Sequence, residues 1–181
     1  MARERHKAIA IPVSDKKHFL IVHDRRYKEW TFVTGGCRRR EIYNPLRCAV
    51  RELEEETRGI INLKKGTYTY FKFATDTPEP RDIEDGVDVI NHYHVYLFDI
   101  PMTAIEQYHI VRQFNEEKDL MENKSIPFRK NYDENDFCRF ETLEQIGAHT
   151  NLWPMIRQHV LGNPEFQQAL QSTHNTPFNL R

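Results

Sequence analysis

Trp30-Thr31-Phe32-Val33-Thr34-Gly35-Gly36 and Arg51-Glu52-Leu53-Glu54-Glu55-Glu56-Thr57 bracket the part of this chain with the sharpest local signal. The first stretch reads as a short strand, Trp30 to Val33, running into two glycines whose backbone freedom permits an abrupt exit from a sheet. Asn44-Pro45 then marks a helix start, with asparagine as N-cap and proline at the first helical position, where its missing N–H costs nothing. The helix is expected to run to about Thr57, with Gly59 as its terminator. At about 100° per residue, Glu52, Glu55 and Glu56 share one arc of roughly 100°, and Glu54 points elsewhere. Leu46, Ala49, Val50 and Leu53 fill the adjoining arc, so one side of the helix anchors to a sheet while the carboxylates face a cleft, Glu55 and Glu56 being expected to be largely hydrated without metal.

Three crowded carboxylates repel one another, and a hard, oxygen-seeking dication such as Mg2+ or Mn2+ is their usual compensation. Arg51 lies one turn before Glu55 and can pair with it, holding that carboxylate in place. Taken alone, the same helix also suits a solvated acidic face with ordinary ion pairs.

Outward from this segment the chain alternates strand and helix signals. Lys7 to Val13 and His18 to Asp24 read as two apolar strands around the turn-like Ser14-Asp15. Thr67 to Thr75 and His92 to Ile100 alternate in the manner of strands, with a proline-rich and acidic loop, Asp76 to Asn91, between them. Phe137 to Phe140 predicts a last strand, followed by helices near Leu143 to Ile146, Leu152 to Val160 and Pro164 to Ser172. This order indicates an α/β (α+β) sandwich with a mixed sheet, formed by residues 1–172 as one domain, with 173–181 as a flexible tail.

The strand into Gly35-Gly36, the loop, and Arg51-Glu52-Leu53-Glu54-Glu55-Glu56-Thr57 together resemble the Nudix box and its leading strand. The box covers about residues 36 to 60. Two departures stand out: Gly36 is followed by four residues, Glu41 and nine more before the arginine, one residue longer overall than the family pattern, and the family's glycine position after the helix holds Arg58, with Gly59-Ile60 one residue late. The resemblance implies the family's α/β/α sandwich and a divalent-metal-dependent hydrolase that cleaves a phosphoanhydride bond in a nucleoside diphosphate-linked substrate. It implies that Glu52, Glu55 and Glu56 carry the metal ions and that Arg51 orients them, with Glu52 serving instead mainly as base in one version. A further carboxylate comes from outside the box in this family; Glu134 is the first candidate, in a loop, strand and helix start running from Glu134 to Leu143, and Glu116 and Glu117 are alternatives. A narrower version of the activity is decapping of mRNA. The alternative is a catalytically inactive Nudix-like nucleotide-binding or sensor module, which has little reason to assemble three mutually repelling acids.

Bulk properties narrow the partners. With 26 basic and 27 acidic side chains the chain is not an electrostatic magnet for nucleic acid, so capped RNA would need a local patch. Arg38, Arg39 and Arg40, next to the expected metal site, supply guanidinium groups for the phosphates of a nucleotide or RNA. Ala8 to Val13 is far too short to span a membrane, and three cysteines without CxxC spacing suggest neither disulfides nor structural zinc, so an intracellular, cytoplasmic protein is expected. Trp30, Tyr68, Tyr70 and Tyr93 could supply a stacking face for a base, but most strand aromatics are simply core and none of the four is singled out. His92 and His94 share one strand face suited to a transition metal but lack a third ligand at recognisable spacing.

Overall fold

A computed structural model describes residues 3–76 and 88–180. Its elements are β1 (Arg3–Ser14), β2 (His18–Asp24), β3 (Trp30–Thr31), β4 (Val33–Gly36), α1 (Pro45–Glu56), β5 (Lys65–Thr75), β6 (Val89–Asp99), α2 (Ala104–Glu122), β7 (Asn135–Glu141), α3 (Leu143–Ala148), α4 (Pro164–Gln171) and β8 (Thr176–Asn179). A π-helical segment, Ile156–Leu161, precedes α4.

The strands form one mixed sheet in the order β3-β2-β1-β6-β5-β8, with β4 also pairing β1 and β7 also pairing β2. β1 and β6 run parallel from Arg3↔Val89 to Val13↔Asp99, and the remaining pairs are antiparallel. One edge of β1 serves two partners: β4 at Lys7 to Ala10, then β2 at Val13 and Ser14. Both faces of the sheet are covered, which explains why Ala8 to Val13 reads as a continuous apolar run. Ala8, Ala10, Leu20, Val22, Tyr96 and Phe98 meet Leu46, Ala49, Val50 and Leu53 of α1 and Phe114 of α2. On the opposite face, Ile9, Ile11, Phe19, Ile21, Val95 and Leu97 meet Ile146, Ile156, Val160 and Phe166. The result is the expected α/β/α sandwich with a mixed sheet.

Several details differ from the expectations. The single strand at Trp30 to Val33 is two: Trp30–Thr31 pairs with β2 and Val33–Gly36 crosses to β1, with fully buried Phe32 between them. Asn44 makes no side-chain capping bond to α1. Helix α2 is wholly additional; Thr103 and Glu106 form a reciprocal capping box at its start, but only Phe114 and Met121 along it are buried, too few for a clear apolar period. Of the loop expected over 76–91, Val89–Asn91 belong to β6 and residues 77–87 lie outside the described residues. Residues 176–179, in the segment expected to fray, pair with β5, and Phe178 packs on Tyr68 and Phe98. Among the described residues, no helix is long and apolar enough to cross a membrane.

Candidate active site

The apolar arc of α1 is pressed onto the sheet, and this fixes the direction of its acids. Arg51 is the hub. Its Nε and Nη2 donate to Glu41 Oε2 and Oε1, both at 2.8 Å, its Nη1 donates to Glu52 Oε1 at 2.9 Å and Glu55 Oε2 at 3.1 Å, and Nη2 also reaches the Gly36 carbonyl at 3.0 Å. The forked pair with Glu41 uses the planar geometry that only arginine offers. Glu41 stands at the end of a 3-10 turn, Arg39–Glu41, and accepts the Arg38 N–H as well, so the longer loop still brings the glutamate to Arg51. Burial opposes ionisation of Glu41, yet the hydrogen bonds and charge of Arg51 hold its carboxyl below the usual value. The same bonds raise Arg51 above its ordinary value.

The other acids are short of compensation. Glu52 lies directly under β4, where a side chain at Gly35 would collide with its carboxylate. Burial pushes the Glu52 carboxyl up to about 7 against the pull of Arg51, and the charges of Glu55 and Glu134 add to the rise. Glu56 is only 5% exposed, and burial, then the charges of Glu52 and Glu134, drive its carboxyl well above the usual range. Its Oε1 accepts from Asn135 Nδ2 at 3.1 Å, while its Oε2 is buried without a hydrogen-bond partner. The expectation of largely hydrated acids is therefore wrong for Glu56, and the Glu55 side chain is only 13% exposed. The reason is tertiary: the segment leading into β7 closes over the end of α1.

Glu134, immediately before β7, is close enough for its charge to be felt at both Glu52 and Glu56. Glu116 and Glu117 lie instead on α2, and Glu116 pairs in solvent with Arg112 at 3.0 Å. Arg38 places a guanidinium nitrogen 3.6 Å from Glu55 Oε1; Arg39 and Arg40 are exposed beside it. Tyr93 is core and Trp30 nearly so, whereas Tyr70 is exposed. His92 and His94 do share a face, joined by His6 of β1, whose Nδ1 is 3.0 Å from His94 Nε2. Asn135 belongs to no spacing pattern, and Arg58 stood out in the sequence only as a departure at the family's glycine position; its contacts with Asp133 and the Asn135 carbonyl come from the fold.

Among the described residues no three His, Cys, Asp or Glu side chains form a ready-made metal shell. One oxygen each of Glu52 and Glu55 is turned to Arg51. The donor set nevertheless fits a hard dication: it is entirely carboxylate oxygen, it is under-compensated, and it includes the orphaned Glu56 Oε2.

The family model for the NUDIX domain matches residues 4–157. No curated protein matches the chain. Among solved structures, the MutT protein from Methanosarcina mazei Go1 is similar with a TM-score of 0.54 at 15% identity, over 94% of this chain and 98% of that one. The NUDIX domain of Shewanella oneidensis NrtR, complexed with ADP ribose, is similar with a TM-score of 0.52 at 9% identity, over 93% and 86%.

Proposed function

The chain belongs to the NUDIX family of pyrophosphohydrolases, and from that premise we propose that Glu52, Glu55, Glu56 and Glu134 bind Mg2+ or Mn2+ and direct cleavage of a phosphoanhydride bond in a nucleoside diphosphate-linked substrate. The observation that carries this reading is the buried, unpartnered Glu56 Oε2 among acids whose charges raise one another. A bound dication neutralises phosphate oxygens and makes a coordinated water easier to deprotonate. The protein's own part is to aim and tune. Arg51 holds Glu52 and Glu55 at fixed angles, and Gly35 leaves the Glu52 carboxylate room against β4. In the alternative version Glu52 serves mainly as the base instead of as a ligand, its carboxyl raised to about 7 by burial in the metal-free protein. Asn135 holds one oxygen of Glu56 and leaves the other free to act as a ligand.

Arg38, Arg39 and Arg40 supply cationic groups for substrate phosphates at the mouth of this cluster, with Arg38 nearest to Glu55. ADP ribose bound to the NrtR domain, which shares this fold, supports substrates in which a nucleoside diphosphate carries a second moiety. Capped RNA is the narrower version of the same chemistry, with the arginines following phosphates beyond the cap.

Product analysis with dinucleotides, nucleotide sugars, nucleoside triphosphates and capped RNA, each with Mg2+ or Mn2+, tests these readings together. Cleavage should occur between phosphates and stop in EDTA. Turnover that persists in EDTA removes the metal reading, and binding of a nucleotide without any turnover would favour the sensor module. If RNA is the substrate, alanine at Arg38, Arg39 and Arg40 together should raise KM for capped RNA more than for a cap dinucleotide, and the gap should narrow as salt rises. Equal effects on both would limit the arginines to local phosphate binding.

A further inference from the structure

Arg58 combines two features that are individually unfavourable. Its φ is 59°, in the left-handed region where glycine is at ease and a side chain is strained. Its side chain is 2% exposed, with Nε and Nη1 buried and lacking hydrogen-bond partners. A glycine would make the same turn after α1 without either cost, and the following residue, Gly59 at φ 83°, already does so.

The side chain's contacts indicate what offsets this. Arg58 stacks over Phe114 of α2 at 4.4 Å to the ring centroid, which provides a face for the guanidinium. Its Nη2 then donates to Asp133 Oδ1 at 3.2 Å and to the Asn135 carbonyl at 2.8 Å. These are the two neighbours of Glu134. Asn135 in turn donates to Glu56 Oε1, so the end of α1 and the segment before β7 are tied twice, once by backbone-directed charge and once by the amide on the acid itself. From the other side, Arg25 donates its N–H to the Glu134 carbonyl at 2.9 Å and its Nη1 to Asp133 Oδ2 at 2.7 Å. Both arginines grip the residues around Glu134.

We infer that Arg58 is a positioning residue for the metal centre, setting Glu134 against Glu52 and Glu56 by clamping Asp133 and the Asn135 carbonyl. The inference rests on the carboxylate reading of the site. It accounts for a charged residue at a left-handed position beside a glycine, which helix termination alone does not.

Mn2+ binding without substrate, followed by electron paramagnetic resonance of the free ion, tests it in wild type, Arg58→Gly, Glu134→Gln and the double variant. Arg58→Gly relieves the backbone strain but gives up the buried contacts to Phe114, Asp133 and the Asn135 carbonyl, so its melting temperature in EDTA should fall while the protein stays folded at the assay temperature, and Mn2+ affinity should fall about tenfold, the usual scale for losing a group that orients a ligand. Glu134→Gln should show a comparable loss, and the double variant should be little weaker than either single one, because both act through the same carboxylate. Arg58→Lys, which keeps charge and a donor, should recover part of the affinity. Wild-type affinity in Arg58→Gly, or losses that add fully in the double variant, would overturn the positioning role alone. Wild-type affinity in Glu134→Gln would overturn the carboxylate reading and this inference with it. Asp133→Ala cuts the same tie from the opposite side and is subject to the same outcomes where Arg58→Gly does not fold.

Discussion

A carboxyl group shut away from water resists ionising until something positive arrives, and Glu56 is in that position. Glu52 and Glu56 both have folded-state values above the ordinary 4.5, about 7 for Glu52, so the metal-free folded chain holds these protons more tightly than the unfolded one. Their stabilising contribution is therefore fully present below about pH 4.5 and is lost as pH rises through the raised values. For Glu52 the shift corresponds to at most about 3 kcal/mol. In EDTA, wild type is expected to melt at a lower temperature near pH 8 than near pH 5, and Glu56→Gln should flatten part of that slope while turnover with metal falls by orders of magnitude. Melting curves at the two pH values check this; parallel slopes in both proteins would refute the burial argument. The arc of Glu52, Glu55 and Glu56 was legible because helical phase is fixed by the backbone. The burial of Glu56 was not, since its partner Asn135 is 79 residues away and arrives through a segment with no period of its own.

Between elements, the closest constraint is the approach of α1 to β4. The carboxylate of Glu52 fills the space that a Cβ at Gly35 would need, whereas at Gly36 nothing lies within 4 Å. Gly35→Ala is expected to displace Glu52 and lower kcat at least tenfold with a modest loss of stability, and Gly36→Ala to be nearly neutral; comparing kcat and melting temperature of the two variants checks the contrast. Equal activity in both would show that Glu52 has another place to go. The two glycines were legible as an exit from the sheet, but their separate roles depend on how near α1 passes. In the same way, the unusual spacing of Glu41 obscured its pairing with Arg51, because that pairing depends on how the loop folds through its 3-10 turn. Helix α2 escaped for the opposite reason: its Thr103-to-Glu106 capping box is plain, but its burial is confined to Phe114 and Met121.

Across the whole molecule, the candidate site gathers where α1 meets β4 and the start of β7, while β8 closes the far edge of the sheet. Removing residues 176–181 should therefore unmask the β5 edge and the Tyr68 and Phe98 rings under Phe178, lowering the melting temperature and promoting association while leaving kcat per folded molecule unchanged. Calorimetry, light scattering and active-site titration would check the three parts, and a fall in kcat would mean that the far edge does shape the site. The sandwich was legible from the order of strands and helices; the pairing partners were not, because apolar strands buried on both faces carry no record of which neighbour they choose. The parallel match of β1 with β6 has a consequence for how the chain is made. The partner of β1 is translated nearly half the chain later, so at ribosomal speeds of ~5–20 residues per second the apolar run from Ala8 to Val13 waits on the order of seconds for it. Antiparallel neighbours β2 and β4 emerge sooner and can shield one edge of that run in the interval. Until β6 arrives, the newborn chain's central strand is thus at most half covered, the condition in which exposed apolar segments are most prone to aggregate.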